Sequence, residues 1–396
     1  MLTEPNFGSP PRNRHFTQII AWRAGVLQPI LHGWGRFDSY NKNVEVFTGA
    51  ISLPHPARND TMGGNGKHQE GADQMEIKGF TYGFFGKRGQ YRSEEGYRSR
   101  ELMFQTGINW MCLAVTIVQK LVHSTEIGFD FAWNSSDRDI MAAVQHAHER
   151  GIKVCMKPIL NCGDGVWRAY IDFPDEDMEG RGTYWDAWFE SYGNFMKYYA
   201  ELAEECGCEM LCIGCEMCGT ERKEEHWRAL IGQLREVYSG KLIYNTNHGH
   251  EKSVKWFDAV DYIGTSAYYP VAQKAGATAE EMCHAWEKVK GRLKKLSGQF
   301  GKKIVFAEIG CRSAHGCAKM PWDFIHRDLA HDEDEQAAFY DSCLRVFSEE
   351  PWFAGMFWWD WNTFIYDTPE EAAADNGFAI HLKKAERVLT EWNHRL

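Results

Sequence analysis

From Met75 onward the chain switches between helical and extended hydrophobic patterns at short intervals. Ile77 to Phe84 reads as a strand, and Glu94 to Gln105 as a helix stopped by Thr106-Gly107. Ile108 to Val115 (INWMCLAV) is an apolar run of strand length. Ser136 to Arg150 has a helical period, with Ile140, Val144 and Ala147 on one face. Ser136 followed by Asp139 supplies a capping signature. Gly151 ends that helix, and the strand Ile152 to Met156 starts at once.

The same punctuation recurs. A helix ending near Cys206 meets Gly207, then the apolar stretch Glu209 to Gly214. A helix from Glu224 to Tyr238, with Trp227, Leu230, Ile231 and Leu234 on one side, meets Gly240 and the strand Lys241 to Tyr244. A glycine just past a helix supplies the left-handed residue that turns the chain. Repeats of helix, glycine and buried strand predict βα units around a parallel sheet. Strands at Asp261 to Ser266, Ile304 to Ala307 and Gly355 to Trp359 continue the series, with helices at Glu280 to Leu296 and Asp334 to Phe347. Asp367 to Gly377 reads as an acidic, Ala-rich loop, and Glu386 to Trp392 as a closing helix.

Eight strands, near residues 80, 111, 154, 211, 243, 263, 305 and 356, predict an α/β fold of the (β/α)8 TIM-barrel type over residues 75–396. A doubly wound open sheet is the alternative, but it advertises a Gly-rich phosphate turn after its first strand. The GFFGKRG run at Gly83 to Gly89 lacks that spacing, so a nucleotide site is discounted. Residues 1–74 differ from the rest, with six of the 12 prolines and no sustained period. They are read as a poorly ordered N-terminal extension or as an over-extended start, with Met75 as the natural initiator.

Composition narrows the function. Of 396 residues, 44% are hydrophobic, enough for a substantial core, and the formal charge of −11 argues against nucleic acid or an anionic membrane as partner. No apolar run approaches the ~20 residues that span a bilayer, and the N-terminus lacks the pattern of a secretory signal. A cytoplasmic location is therefore expected, with the 12 cysteines as reduced thiols. The 16 Trp and 16 Tyr either fill the core or line a sugar-binding cleft, and only position separates the two.

In a barrel the C-terminal ends of the strands share one mouth. The fourth strand delivers Glu216 there, and the seventh delivers Glu308. The third gives Lys157 and Asn161 with Trp167 beyond, the fifth Asn245, Asn247 and His248, the sixth Tyr268 and Tyr269. The eighth gives Trp359, Asp360 and Trp361; alternation puts both indoles on one side as a sugar platform, and Asp360 on the other in a structural role. A lone Glu after a strand is usually a helix-terminal charge or a salt bridge. Two, at the fourth and seventh strands, match the carboxyl pair that breaks a glycosidic bond, one protonated to release the leaving oxygen and one ionised to attack the anomeric carbon. Apolar and cysteine neighbours favour a raised pKa for Glu216, while a Tyr268 hydroxyl donating to Glu308 would keep it charged. Glu216 is accordingly assigned as acid/base and Glu308 as nucleophile. Tyr268, Trp359, Trp361, Asn247, His248, Lys157, Asn161 and Trp167 are the candidate substrate-binding residues. His248 and His250 are read as hydrogen-bonding loop residues rather than metal ligands, and no cofactor is expected.

The two strand-end glutamates resemble clan A of the glycoside hydrolases, the retaining (β/α)8 group. The strings CIGCEM at Cys212 to Met217, FAEIGCRS at Phe306 to Ser313 and FWWDW at Phe357 to Trp361 are similar to glycoside hydrolase family 113. So are Lys157-Pro158 followed by Trp167, and Ala267-Tyr268-Tyr269-Pro270. The resemblance covers about Lys78 to Trp361. It implies a retaining endo-β-1,4-mannanase acting on mannan, glucomannan or manno-oligosaccharides, and the same roles for Glu216 and Glu308. One departure stands out: most of clan A has Asn before the acid/base glutamate, where it binds the sugar 2-hydroxyl, and this chain has Cys215. That leaves another clan A β-glycanase, acting on glucan or xylan, as an alternative.

A rival reading comes from Cys206, Cys208, Cys212, Cys215 and Cys218, whose spacing suits zinc or an iron–sulfur cluster. Cys212 is placed mid-strand inside the barrel, and the usual fourth ligand and trailing proline are missing. Cysteine as a small core filler is the simpler explanation. A barrel that binds glycans without cutting them is a third reading, and the presence of both carboxylates weighs against it.

Overall fold

A computed structural model describes residues 75–130, 134–326 and 328–396. The expectations about residues 1–74 lie outside these. Eight parallel strands close on themselves: β1 (Ile77–Tyr82), β2 (Trp110–Gln119), β4 (Lys153–Cys162), β5 (Met210–Cys215), β6 (Lys241–Asn247), β7 (Tyr262–Ser266), β8 (Ile304–Ile309) and β9 (Phe353–Trp361). Each pairs with its sequence neighbour, and β1 pairs with both β2 and β9 to complete the (β/α)8 barrel. A two-residue strand, β3 (Ile127–Gly128), turns back antiparallel on the end of β2.

The ring around the strands consists of α1 (Glu94–Gln105), α2 (Asp137–Glu149), α3 (Tyr184–Cys206), α4 (Glu224–Arg235), α5 (Ala279–Phe300), α6 (Glu333–Phe347) and the closing α8 (Lys384–Arg395). Ser136 caps α2 in a reciprocal box with Asp139, as its sequence predicts, and Thr183 and Thr278 do the same for α3 and α5. Gly207 and Gly301 end α3 and α5 at φ of 70° and 63°, a conformation that penalises any side chain with a Cβ.

The segment expected to be a loop, Asp367 to Gly377, holds a short helix, α7 (Pro369–Ala374). Thr368 caps it and Pro369 occupies its first turn, where the missing N–H costs nothing. Several strands also run further than their apolar runs suggested. β2 and β4 stay in register from Trp110–Lys153 to Gln119–Cys162, so polar residues at their ends remain in the sheet.

Two cores result. Between barrel and helices lie the large aromatics Trp185, Trp188, Trp227, Trp256 and Trp286, all fully buried. Inside the barrel sits a smaller layer that includes Ile77, Trp110, Cys112, Cys155, Cys212, Ile243, Val305 and Phe357. Cys112, Cys155 and Cys212 are thus small fillers of the narrow interior. All 12 cysteines are free thiols.

Candidate active site

β5 loses register against β6 between Cys212 and Cys215, and the next residue, Glu216, adopts a left-handed conformation with φ of 53°. For a residue with a side chain this costs on the order of 1–3 kcal/mol and persists only where the surroundings hold it. Its own N–H donates to the Asn245 carbonyl of β6 at 2.7 Å, which pins the turn. On the far side β8 carries Glu308, opposite Ser266 at a register shift between β7 and β8. A carboxylate oxygen of Glu216, one of Glu308 and the Cys215 Sγ all lie within 4.8 Å of one another.

The two carboxylates have different partners. Glu308 Oε1 accepts from Lys157 Nζ at 2.5 Å, Cys215 Sγ at 3.2 Å and Asn245 Nδ2 at 3.4 Å. Its Oε2 accepts from the Tyr268 hydroxyl at 3.3 Å. Glu216 Oε2 accepts from Arg168 Nη2 at 2.9 Å and from the Trp167 indole at 3.3 Å. Both acids are buried, which by itself raises a carboxyl pKa. At Glu216 burial wins: it outweighs the Arg168 guanidinium, the Glu308 charge adds to it, and the pKa sits above its ordinary value. At Glu308 burial is outweighed by Lys157 and Arg168, and the pKa sits below its ordinary value. The pair therefore presents one carboxyl biased toward its acid form beside one biased toward its carboxylate.

Of the residues singled out from sequence, Lys157, Asn161, Trp167, Tyr268 and Trp359 come together around this pair or its mouth. Lys157 needs correction as a sugar contact. It has no exposed surface, and it points within the barrel to Glu308 and to the Ala307 carbonyl at 3.1 Å. Asn161 also acts on a neighbour: its Oδ1 accepts from Arg168 Nη1 at 3.1 Å. Tyr268 is buried beside Glu308. Trp359, half-buried, packs on Phe84 at 4.8 Å between ring centroids.

Trp361 does not join them. It is 2% exposed, packs on Phe80 at 5.1 Å and donates its indole N–H to Ser99 of α1. Simple alternation fails here because the end of β9 is irregular: Trp358 stacks on Tyr340 of α6, and Trp361 also faces the helical layer. Asp360 is buried, and burial pushes its carboxyl up to about 7. Asn247 ends β6, paired with Ser266. His248 follows it, stacked on Trp322 at 5.4 Å; burial pushes its pKa down to about 4, so it is neutral at pH 7.

Arg168 was missed from the sequence. It stands beside the selected Trp167, yet nothing in the local string says that its guanidinium turns back on Cys215 and Glu216. Besides Glu216 it meets the Cys215 carbonyl at 2.8 Å and the Cys215 Sγ at 3.4 Å. Exposed aromatics in loops that follow strand C-termini, Phe85, Tyr170 and Phe364, add to the mouth and also escaped notice.

The model of glycoside hydrolase family 113 matches residues 80–383. No curated protein matches the chain. Among solved structures, one described as a complex structure of a GH113 beta-1,4-mannanase is 34% identical, with a TM-score of 0.74 over 81% of this chain and 99% of that one. The GH113 beta-mannanase AaManA from Alicyclobacillus acidocaldarius is 35% identical, with a TM-score of 0.74 over 82% of this chain and 98% of its own. A Faecalibacterium prausnitzii beta-glucuronidase, 12% identical with a TM-score of 0.53 over 81% of this chain and 49% of its own, shares the fold alone. With two acids converging at the mouth of a closed barrel, and with these matches spanning most of its length, the chain belongs to glycoside hydrolase family 113.

Proposed function

We propose that this hydrolase cleaves β-1,4-mannosidic linkages in mannan, glucomannan or manno-oligosaccharides with retention of configuration. The observation that carries the reading is the carboxyl pair itself, with oxygens within 4.8 Å, one acid bound to Lys157 and the other to Arg168. Retaining enzymes hold their two carboxyl groups about 5–5.5 Å apart, whereas inverting ones leave a gap of about 6.5–9.5 Å for water.

In the first step a Glu308 oxygen attacks the anomeric carbon, and the Glu216 proton moves to the departing glycosidic oxygen. This leaves a glycosyl ester on Glu308 and an ionised Glu216. In the second step Glu216 takes a proton from water, whose oxygen displaces Glu308 and restores both groups. Lys157, Cys215 and Asn245 all address Oε1 of Glu308, so Oε2, which among the described residues accepts only from Tyr268, is the freer oxygen for attack. Trp167, Trp359 and the neighbouring exposed aromatics offer faces for sugar rings on either side. A cytoplasmic setting and short imported oligosaccharides fit the many free thiols, which survive in a reducing compartment.

The deciding experiment is product analysis on mannan, glucomannan, xylan and cellulose oligomers, with the anomer followed by NMR. Manno-oligosaccharides released first as the β-anomer are expected. Release of the α-anomer would remove the covalent step, and cleavage of xylan or cellulose in preference to mannan would move the substrate.

A further inference from the structure

Behind Glu216 lies a second polar cluster that catalysis does not use. Glu221 is 1% exposed. Its Oε1 accepts from the Thr246 hydroxyl at 2.5 Å and the Tyr244 hydroxyl at 3.1 Å, while its Oε2 is buried without a hydrogen-bond partner among the described residues. A buried carboxylate oxygen left unmatched is costly. Glu251 adds a second buried carboxylate nearby, but its Oε1 is taken by Tyr269, Thr265 and the Gly249 N–H. Of the two, Glu221 is the acid with a fully buried oxygen that lacks a partner among the described residues. The Cys218 Sγ, a Glu221 oxygen and a His250 ring nitrogen all lie within 4.8 Å of one another. In a tetrahedral zinc site with bonds of about 2.0–2.3 Å, ligand atoms stand roughly 3.3–3.8 Å apart, so little movement closes the trio around an ion.

We propose that Cys218, Glu221 and His250 bind one zinc ion, with water in the fourth position. The thiolate and imidazole select a borderline metal over Mg2+ or Ca2+, which prefer all-oxygen shells. The ligands come from two loops, Cys218 and Glu221 after β5 and His250 after β6. The His250 turn is already tied by its N–H to the Asn247 carbonyl at 3.0 Å. The ion joins these loops directly behind the acid/base and so stabilises the mouth of the barrel. This reverses the expectation that His250 is only a hydrogen-bonding loop residue. It also separates the cysteine run, since Cys212 fills the barrel interior and Cys215 serves Glu308. Two other trios of possible ligands occur among the described residues: Cys215, Glu216 and Glu308 are already neutralised by Lys157 and Arg168, and in His315, Asp332 and Glu335 the imidazole pairs with Asp332 while Glu335 accepts from the N–H groups of Gly276, Gly316 and Ala318.

The test uses the whole chain, stripped with a chelator and dialysed, then titrated with Zn2+ by calorimetry and with Co2+ by absorption. One equivalent of Zn2+, a raised Tm and a thiolate-to-cobalt charge-transfer band are expected. Cys218→Ser should abolish the band, and His250→Ala should weaken Zn2+ binding by at least about tenfold. His250 is exposed, so its removal leaves the metal-free fold intact, and the metal-free Tm of His250→Ala should match that of the metal-free parent. No Zn2+-dependent rise in Tm, no thiolate band, or Zn2+ binding unchanged in both variants would overturn the proposal. None of these readouts depends on the sugar cleaved.

Discussion

The Lys157 ammonium sits 2.5 Å from Oε1 of Glu308, and both side chains are shut away from water inside the barrel. Neither group tolerates that setting alone, because an unpaired buried charge is costly. Together they form the ionised base of the site, which explains why a lysine occupies the interior of β4. The pairing leads to the first prediction. Lys157→Met removes the main attraction that holds Glu308 below the ordinary carboxyl value of 4.5. The acidic limb of the kcat/KM profile should then move to higher pH, with kcat/KM at the optimum falling by about 10²-fold. In the parent protein Glu308 titrates lower when folded than when unfolded. Its stabilising contribution is thus complete above about pH 4.5 and is lost as pH falls through the folded pKa. Broken pairs of this kind cost about 3–5 kcal/mol. Urea melts of Lys157→Met at pH 7 should show a loss of that order, and an unshifted acidic limb would separate Lys157 from the nucleophile.

Glu216 and Glu308 should fail differently when replaced. Glu308→Gln is expected to abolish turnover on every substrate, because no ester forms. Glu216→Gln should lower kcat on mannotriose by about 10²–10⁴-fold. An aryl mannobioside with an acidic phenol as leaving group needs no proton, so there Glu216→Gln should show a burst of phenol followed by slow hydrolysis of the ester. Stopped-flow release of the phenol checks this, and a burst in Glu308→Gln would reverse the two roles.

Arg168 contacts the acid/base at 2.9 Å and opposes the upward push of burial on its pKa. Taking the charge away in Arg168→Met lets the pKa rise further. The acid must be protonated for the first step, so the basic limb of kcat/KM should extend to higher pH than in the parent. The falling side of the pH–rate profile measures this directly, and movement to lower pH would contradict the geometry.

Trp359 and Trp361 test where a sugar rests. Trp359→Ala should raise KM by about tenfold, the size of a contact worth about 1.4 kcal/mol, with little change in Tm. Trp361→Ala empties a site packed between Phe80 and Ser99 and should cost about 3–5 kcal/mol of stability with KM nearly unchanged. Thermal melts and steady-state kinetics on the two variants separate platform from core.

Much of this is legible in the amino-acid sequence. Glycine punctuation after helices and short apolar runs place the strands within a few residues, because these signals depend on neighbours in the chain. They also place Glu216 and Glu308 at strand ends facing one mouth. Where the reading misplaced Trp361, the cause was an irregular strand end that simple alternation does not foresee. Trp361 looks like a partner of Trp359 by strand alternation, yet it donates to Ser99 of α1 in the helical layer because β9 is irregular at its end.

The sequence by itself thus determined the barrel, the family resemblance and the candidate acids, since period, capping and motif strings are local properties. Only the tertiary structure decided which charge meets which acid. Lys157 lies 151 residues from Glu308, and Arg168 lies 48 from Glu216. Electrostatic interaction depends on separation in space and on the exclusion of water, and strand closure brings about both.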